Sequence, residues 1–238
     1  RYMFDDARYD SVEEALAEER QFELTYRIIT ATEETRWVWE SGQGIYEAGE
    51  AVSIEGFVTD ITDRVSAERK LTALHTVAND LTESTTDEEV YQLTIEASEE
   101  ILDFDLSAID IARNGRLEKA AVSTGTPPEG SKTMAFDEGI VGKTYQMGES
   151  YLIPDVQELP EAKPQGPYHA AISIPIGDHG VFQAVAREVE AFDQQDLELA
   201  ELLVSHAENA LTRIEREQEL EQRNERLDEF AGIVSHDL

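Results

Sequence analysis

Two stripes with a seven-residue period run through the C-terminal part of the chain and predict long amphipathic helix there. The first stripe consists of Leu197, Ala200, Val204, Ala207, Leu211 and Ile214. The second consists of Leu220, Asn224, Leu227, Ala231, Val234 and Leu238. Because mainly apolar residues spaced alternately three and four apart form the seam of a coiled coil, the two stripes predict a parallel homodimer.

The two stripes are out of phase with each other. Ile214 and Leu220 are six residues apart instead of seven, and residues 215–219 are all polar or charged. A shortened repeat locally overwinds a supercoil. We therefore interpret residues 215–219 as a soft joint, where a twist or slide of the preceding helix reorients the following one. A poorly packed linker without a signalling role is the alternative.

His236 falls on the outer face of the second stripe. With Leu220, Leu227 and Val234 at position d, His236 takes position f, opposite the seam. An exposed imidazole can attack phosphorus through its unprotonated ring nitrogen. Asp237 follows directly and could accept a hydrogen bond from the other ring nitrogen, which would fix the tautomer. The alternative is a solvated surface histidine near a frayed helix end.

The residues around this histidine resemble the phosphoacceptor box of sensor histidine kinases. The resemblance rests on Phe230, the Ile233-Val234 pair and the run Ser235-His236-Asp237-Leu238. It implies that His236 accepts the γ-phosphoryl group of ATP, with Asp237 as its orienting acid–base partner. A response-regulator aspartate would then receive the group. ATP and Mg²⁺ would be bound by a domain beyond Leu238. Because the chain begins with Arg1 inside a predicted domain and ends inside a predicted helix, we expect it to be a fragment cut at both ends.

The first part of the chain combines a helical pattern with three strand-like runs. A helix is predicted over residues 11–21, followed by strands over 22–30, 35–46 and 52–61. The first run alternates apolar and polar residues, which is the period of a half-buried antiparallel strand.

This order of elements resembles the C-terminal half of a PAS domain. The most specific residues are Tyr26-Arg27, Arg36-Trp37-Val38 and the closing triplet Asp60-Ile61-Thr62. The resemblance implies that the strands forming most of a PAS ligand pocket are missing, so the sequence does not give the ligand of such a pocket. Trp37 and Trp39 are two residues apart, share one face of their strand and are interpreted as packing residues.

The interval from about residue 70 to 212 resembles a GAF domain. A helix opening at Asp87 precedes a turn at Asn114-Gly115, and the segment from Gly139 to Val156 is the most specific part of the match. The predicted strands cover residues 106–111, 117–122, 171–176 and 181–187. The resemblance implies a six-stranded sheet flanked by helices, and a pocket for a small molecule whose identity the sequence does not give.

Other candidate binding residues favour structural explanations. Gly142-Lys143-Thr144 ends a run like a phosphate loop, but the glycine required five positions earlier is Asp137, whose charge would repel phosphate. The absence of cysteine excludes disulfides, thiolate nucleophiles and chromophores attached through cysteine in this chain. No metal site is predicted, because the remaining histidines are isolated and are interpreted as solvated or structural: His75, His169, His179 and His206.

The charge of the chain is strongly unbalanced, with 52 acidic and 19 basic residues and a formal net charge of −33. Self-repulsion on this scale destabilises the compact state in dilute salt, whereas molar salt relieves it. We therefore predict a halophilic protein without direct nucleic-acid contact, since no basic face meets phosphates. No signal peptide and no apolar run of about 20 residues are found, which predicts a cytoplasmic protein without a membrane span.

Together these patterns predict an α+β chain in which an antiparallel-sheet PAS half and a GAF domain are joined by long helices, ending in a parallel dimeric coiled-coil helix. The predicted boundaries are 1–63 for the PAS half, 64–82 for the connecting helix, 70–212 for the GAF domain, and 213–238 for the signalling coiled coil and first part of the HisKA phosphoacceptor helix. The predicted function is the sensory and phosphoacceptor portion of a two-component sensor histidine kinase. The alternative is a PAS–GAF ligand-sensing module of a DNA-binding transcriptional regulator.

Overall fold

The structure is a computed structural model that describes residues 6–125, 133–162 and 166–236, with side chains described between residues 12 and 226. The chain divides into two compact units, Arg1–Arg69 and Lys70–Leu238. Among the described residues, every helix is too polar or too short to cross a bilayer.

The first unit is built on a three-stranded antiparallel sheet in the order β1-β2-β3. The strands are β1 (Phe22–Ile29), β2 (Thr35–Glu47) and β3 (Glu50–Asp60), which confirms the three predicted runs. The two-residue turn Ala48-Gly49 joins β2 to β3 with positive φ angles of 51° and 84°. Positive φ at both positions is the geometry of a type I′ turn, whose twist matches that of the flanking strands.

The alternation predicted for β1 is confirmed. Phe22 is buried, Leu24, Tyr26 and Ile28 are half-buried, and the residues between them are exposed. By contrast, β3 lies at an edge of the sheet and every one of its residues is exposed.

Helix α1 (Asp6–Ala17) packs against β1 and lies closer to the N-terminus than the predicted helix over residues 11–21. The prediction was wrong at the C-terminal end because Glu19 has a φ of 51°, a left-handed conformation that does not continue a helix. Tyr46 holds this end by donating a hydrogen bond to the Leu16 carbonyl oxygen at 2.8 Å.

The second unit contains a six-stranded antiparallel sheet in the order β6-β5-β4-β9-β8-β7, which confirms the predicted sheet. Its strands are β4 (Leu106–Arg113), β5 (Arg116–Val122), β6 (Met134–Ala135), β7 (Tyr151–Ile153), β8 (Ala170–Ile176) and β9 (Gly180–Ala186). The helices are α2 (Thr62–Glu83), which begins in the first unit, and α3 (Asp87–Glu100), α4 (Gly139–Met147) and α5 (Gln194–His236).

The helices cover both faces of the six-stranded sheet. On one face, the end of α2, α3 and α5 share a buried core with the strands, and α4 packs on the other face. The core on the first face includes Leu74, Ile95, Ile109, Phe182 and Leu203. Helix α3 starts with a capping box, in which the side chains of Thr86 and Glu89 accept hydrogen bonds from each other's backbone N–H groups.

The first seven-residue stripe belongs to this core and does not form a coiled-coil seam. All six residues, from Leu197 to Ile214, are at most 8% exposed and pack against α3 and the sheet. The prediction of a coiled coil over this stripe was therefore wrong, because the domain itself already covers the surface that a partner helix would need.

The change of phase coincides with the point where α5 leaves the core. Ile214 is 2% exposed, whereas all residues from Glu215 to Arg226 are exposed, including Leu220 at 60%. Packing within the domain ends where the polar segment 215–219 begins. Leu220 and Asn224, the residues of the second stripe whose side chains are described, are therefore exposed, and the parallel homodimer stays a prediction.

Candidate functional site

The predicted phosphoacceptor lies on α5, which continues without a break from Gln194 to His236. The backbone of His236 is described and is helical, whereas Asp237 lies outside the described residues. The roles of both side chains therefore stay predictions.

A second candidate site lies on the face of the six-stranded sheet that α4 covers. The turn Asn114-Gly115 sets the register of the β4–β5 hairpin, so that Asp110 lies directly opposite Lys119. The register then shifts at Ala120, which has no partner in β4, as in a β-bulge. Since Ile109 and Ile111 point into the core beneath α3 and α5, Asp110 between them points to the opposite face.

Asp110 and Lys119 form an ion pair within the sheet. Lys119 Nζ donates a hydrogen bond to Asp110 Oδ2 at 2.7 Å, and the two side chains are 16% and 1% exposed. The second carboxylate oxygen, Oδ1, is buried and has no hydrogen-bond partner among the described residues. An unpaired buried carboxylate oxygen is costly, so this atom is a ready acceptor for an added hydrogen-bond donor.

Helix α4 is fixed above this face by a short polar contact and a close backbone approach. Thr144 Oγ1 lies 2.7 Å from Ser173 Oγ of β8, and both residues are fully buried. A Cβ atom on Gly142 would lie 2.5 Å from the Phe136 carbonyl oxygen, so only glycine allows this approach.

Apolar and aromatic side chains complete the surroundings of the ion pair. Leu117, Met134, Val141 and Val181 form a buried cluster, against which Phe136 and Tyr145 pack with their ring centroids 4.7 Å apart. We define the sensor face as Asp110, Lys119, Thr144 and Ser173 with this apolar cluster.

Asp110 was not predicted as a site residue, although the sequence contains two signals for it. Asp110 is the only charged residue in the apolar run Leu106–Ala112. It also lies as far before the predicted turn Asn114-Gly115 as Lys119 lies after it, which makes the two cross-strand partners.

The other histidines are not brought together. His169 Nδ1 lies 3.0 Å from Asp155 Oδ1, and His179 Nε2 lies 3.2 Å from Thr212 Oγ1. Asp155 also accepts the backbone N–H of Gln157, and this bond is the main cause that lowers its pKa. His75 is exposed and His206 is half-buried. Among the described residues, no cluster of histidine and carboxylate side chains could hold a metal ion.

The phosphate-loop-like run forms the first turns of α4. Its lysine, Lys143, contacts Glu161 Oε1 at 3.2 Å and lies 5.1 Å from the centroid of the Tyr151 ring. Lys143 therefore links α4 to Glu161 and Tyr151. This agrees with the prediction that the run has a structural role and does not bind phosphate.

A hydrogen-bonded junction joins β3 to α2 in the first unit. Asp60 Oδ1 accepts hydrogen bonds from the Thr62 hydroxyl at 2.6 Å and from the Thr62 N–H at 2.9 Å. Both bonds lower the pKa of the Asp60 carboxyl group below its ordinary value, and the bond from the Thr62 hydroxyl has the larger effect. The Thr62 hydroxyl oxygen also accepts the N–H of Trp37 at 2.9 Å, so the first residue of α2 is tied to the middle of the sheet.

The two tryptophans pack within the protein, as predicted. The guanidinium groups of Arg27 and Arg69 lie 5.8 and 4.9 Å from the centroid of the Trp37 ring. Trp39 makes an edge-to-face contact with Phe57 at 5.2 Å between centroids.

The six-stranded sheet with helices on both faces defines a sensory domain of the GAF type. The family model described as GAF domain matches residues 84–212, more than half of the 238-residue chain, and the chain belongs to this family. The model described as PAS fold matches residues 5–58. Both sensory resemblances are thereby confirmed, and they support a role in sensing signals.

Solved structures with the same fold cover the second unit. The free methionine-R-sulfoxide reductase from Neisseria meningitidis is 16% identical, with a TM-score of 0.57 over 63% of this chain and 92% of that one. The GAF domain of a phosphoenolpyruvate-protein phosphotransferase from Coxiella burnetii is 18% identical, with a TM-score of 0.56 over 64% and 98%. A methyl-accepting chemotaxis protein is 22% identical, with a TM-score of 0.51 over 60% and 98%. These identities establish the shared fold alone, and no curated protein matches the chain.

Proposed function

We propose that this chain is the sensory and phosphoacceptor portion of a two-component sensor histidine kinase. The PAS and GAF matches support the sensory part of the proposal. One observation carries the link to phosphotransfer: α5 leaves the GAF core after Ile214 and reaches His236 within the same helix. In this proposal, a change in the sensory domain is transmitted to His236 along one continuous helix.

The proposed reaction moves one phosphoryl group in two steps. An unprotonated ring nitrogen of His236 attacks the γ-phosphorus of Mg-ATP, the N–P bond forms, and ADP leaves with the bridging oxygen. Asp237 accepts a hydrogen bond from the other ring nitrogen and stabilises its positive charge. An aspartate of a response-regulator receiver domain then takes the phosphoryl group and regenerates His236. The nucleotide would be bound by another domain of the parent protein.

The sensor face is the proposed ligand site of the GAF domain. Asp110 Oδ1 offers an acceptor, and the Lys119 ammonium carries three N–H donors, of which Asp110 uses one. The ligand that fits is a small molecule with a hydrogen-bond donor beside an acceptor or anionic group, and an apolar part for the surrounding cluster. Extraction of the purified parent protein under denaturing conditions, followed by mass spectrometry, would identify it.

The phosphotransfer proposal is tested by labelling the parent protein with [γ-³²P]ATP and measuring acid-labile phosphate. We expect label in the wild type and in His75→Gln, which changes an exposed histidine in α2, and none in His236→Gln. A receiver domain added afterwards should remove the label from the wild type.

Two results would overturn the proposal. Labelling of His236→Gln at the wild-type rate would show that another residue accepts the phosphoryl group. An unlabelled parent protein that binds promoter DNA would favour the alternative, a sensory module of a transcriptional regulator.

A further inference from the structure

Two neighbouring residues of α5, Thr212 and Arg213, connect this helix to different parts of the second unit. Thr212 Oγ1 lies 3.2 Å from His179 Nε2 in the turn between β8 and β9. Arg213 Nη2 donates a hydrogen bond to the carbonyl oxygen of Ser84, which is 129 residues away in the sequence. We call Thr212 and Arg213 the exit pair, because the residues of α5 from Glu215 to Arg226 are exposed.

The contact of Thr212 leads through the β8–β9 turn to α4 and the sensor face. Tyr145 of α4 donates a hydrogen bond to the carbonyl oxygen of Asp178, the residue before His179, at 3.2 Å. The carbonyl oxygen of His179 accepts the N–H of Ala112 in β4 at 2.8 Å. A shift of α4 therefore moves the turn that holds Thr212.

The contact of Arg213 leads to α2. Ser84 directly follows the last residue of α2, is 5% exposed, and returns its own N–H to the Asp80 carbonyl oxygen at 3.1 Å. Helix α2 ends directly before Ser84, so Arg213 contacts the C-terminal end of this helix. In addition to the core that they share, α2 and α5 are thus linked through the guanidinium group of Arg213.

Arg213 also pairs with a residue of the exposed segment that follows it. Its Nη1 contacts both carboxylate oxygens of Glu217, at 3.1 and 3.0 Å, and Glu217 lies within the exposed segment 215–219. Its Nε is buried and has no hydrogen-bond partner among the described residues. Arg213 therefore contacts Ser84 and the segment 215–219 at the same time.

We infer that the exit pair joins two inputs, one from α2 through Arg213 and one from the sensor face through Thr212, and passes both to the joint at residues 215–219. This inference goes beyond the proposed function, because it concerns how the inputs combine. It rests on the proposed function only for what the joint controls, which is the phosphorylation of His236.

Amide hydrogen exchange of the 238-residue chain tests the inference without ATP, so a failure of phosphotransfer cannot mimic its failure. In Arg213→Gln we expect about tenfold faster exchange at residues 81–86 and 212–219, since a charge-assisted hydrogen bond is lost. Exchange at residues 177–180 should stay unchanged. In Thr212→Val we expect the opposite distribution. Exchange should become faster at residues 177–180 and stay at the wild-type rate at residues 81–86.

Two matched variants sharpen the test. Arg216→Gln removes an exposed arginine three residues further along α5 and should leave all three segments at the wild-type rate. Arg213→Lys keeps the charge but loses the forked geometry, so it should restore part of the protection at residues 81–86. The inference is overturned if Arg213→Gln changes exchange only within α5. It is equally overturned if both variants loosen all three segments alike, because the exit pair would then be part of one packed block.

Discussion

Lys119 lies directly opposite Asp110 in the β4–β5 hairpin and closes a 2.7 Å ion pair inside the second unit. The pair lies next to the buried cluster that contains Leu117 and Val181. Its position beneath α4 makes it both a structural element of the sheet and the polar centre of the proposed ligand site.

Removal of one partner of this pair should be strongly destabilising. Lys119→Met leaves the Asp110 carboxylate buried without its counter-ion, which typically costs about 3–5 kcal/mol. The double variant with Asp110→Leu should recover most of that loss, because no charge remains buried. Urea unfolding of the wild type, both single variants and the double variant measures the coupling. Additive losses would contradict a direct pair.

Gly180→Ala should separate β9 from β4. A Cβ atom at this position would lie 2.0 Å from the Asp110 carbonyl oxygen and 2.9 Å from the Ile111 Cα atom. Neither backbone atom can move without opening the strand pair, so we expect a loss of about 1–3 kcal/mol. Gly125→Ala is the control, since its nearest neighbours would be at 3.4 Å, an ordinary contact. Urea unfolding of both variants measures this loss. Equal unfolding midpoints for the two variants would contradict the pairing of β9 with β4.

The junction of β3 and α2 should weaken in acid. The pKa of Asp60 is lowered in the folded state by the Thr62 hydrogen bonds. Its stabilisation is therefore present above the ordinary carboxyl pKa and is lost as the pH falls through the lowered value. Thermal unfolding should show Asp60→Asn less stable than the wild type at pH 7, with the difference vanishing in acid. Asp63→Asn, one position after Thr62, is the control. A stability difference between Asp60→Asn and the wild type that does not change with pH would contradict the role assigned to the Asp60 carboxylate.

Stability should rise steeply with salt. A net charge of −33 repels itself over about 10 Å at 0.1 M salt, and only over about 3 Å at 1 M. Thermal midpoints in KCl should therefore increase most below about 1 M and level off above it. A midpoint that is flat across this range would contradict the prediction of a halophilic protein.

Deletion of residues 216–218 should fix the output of the parent kinase. Three residues account for about 300° of helix rotation, so the downstream helix turns by about 60° relative to the core. We expect labelling of His236 that no longer responds to the input, either high or low. Deletion of residues 215–221 removes seven residues, nearly preserves the phase and serves as the control. Normal regulation after the three-residue deletion would exclude a role for the joint.

The sequence predicted the strands well because their signals are local. Gly49 and the pair Asn114-Gly115 are turn residues that suit positive φ, and the runs beside them alternate or are mainly apolar. Helix α4 was not predicted, because nine residues containing Gly139 and Gly142 give a weak helical pattern.

Other features depend on contacts that the sequence does not encode locally. A seven-residue stripe indicates that a helix face is buried but not whether its own domain or a partner covers it, which is why the stripe from Leu197 to Ile214 was misassigned. The bulge at Ala120 and the burial of Asp110 depend on how the strands and helices of the folded domain pack. Arg213 and Ser84 are 129 residues apart in the sequence, and neither segment contains a pattern that predicts their contact.

The exposed strand β3 sets a practical limit on how the protein can be handled. Among the described residues, no strand pairs with the outer edge of β3. An unpaired edge can add a strand from another molecule, and Val52, Ile54 and Val58 add apolar surface to it. Mutual repulsion between acidic molecules opposes such stacking in dilute buffer. The ions that protect the compact state also weaken this repulsion, so fibrous association should set in at the high end of the salt range, and an intermediate ionic strength should keep the chain both folded and dispersed.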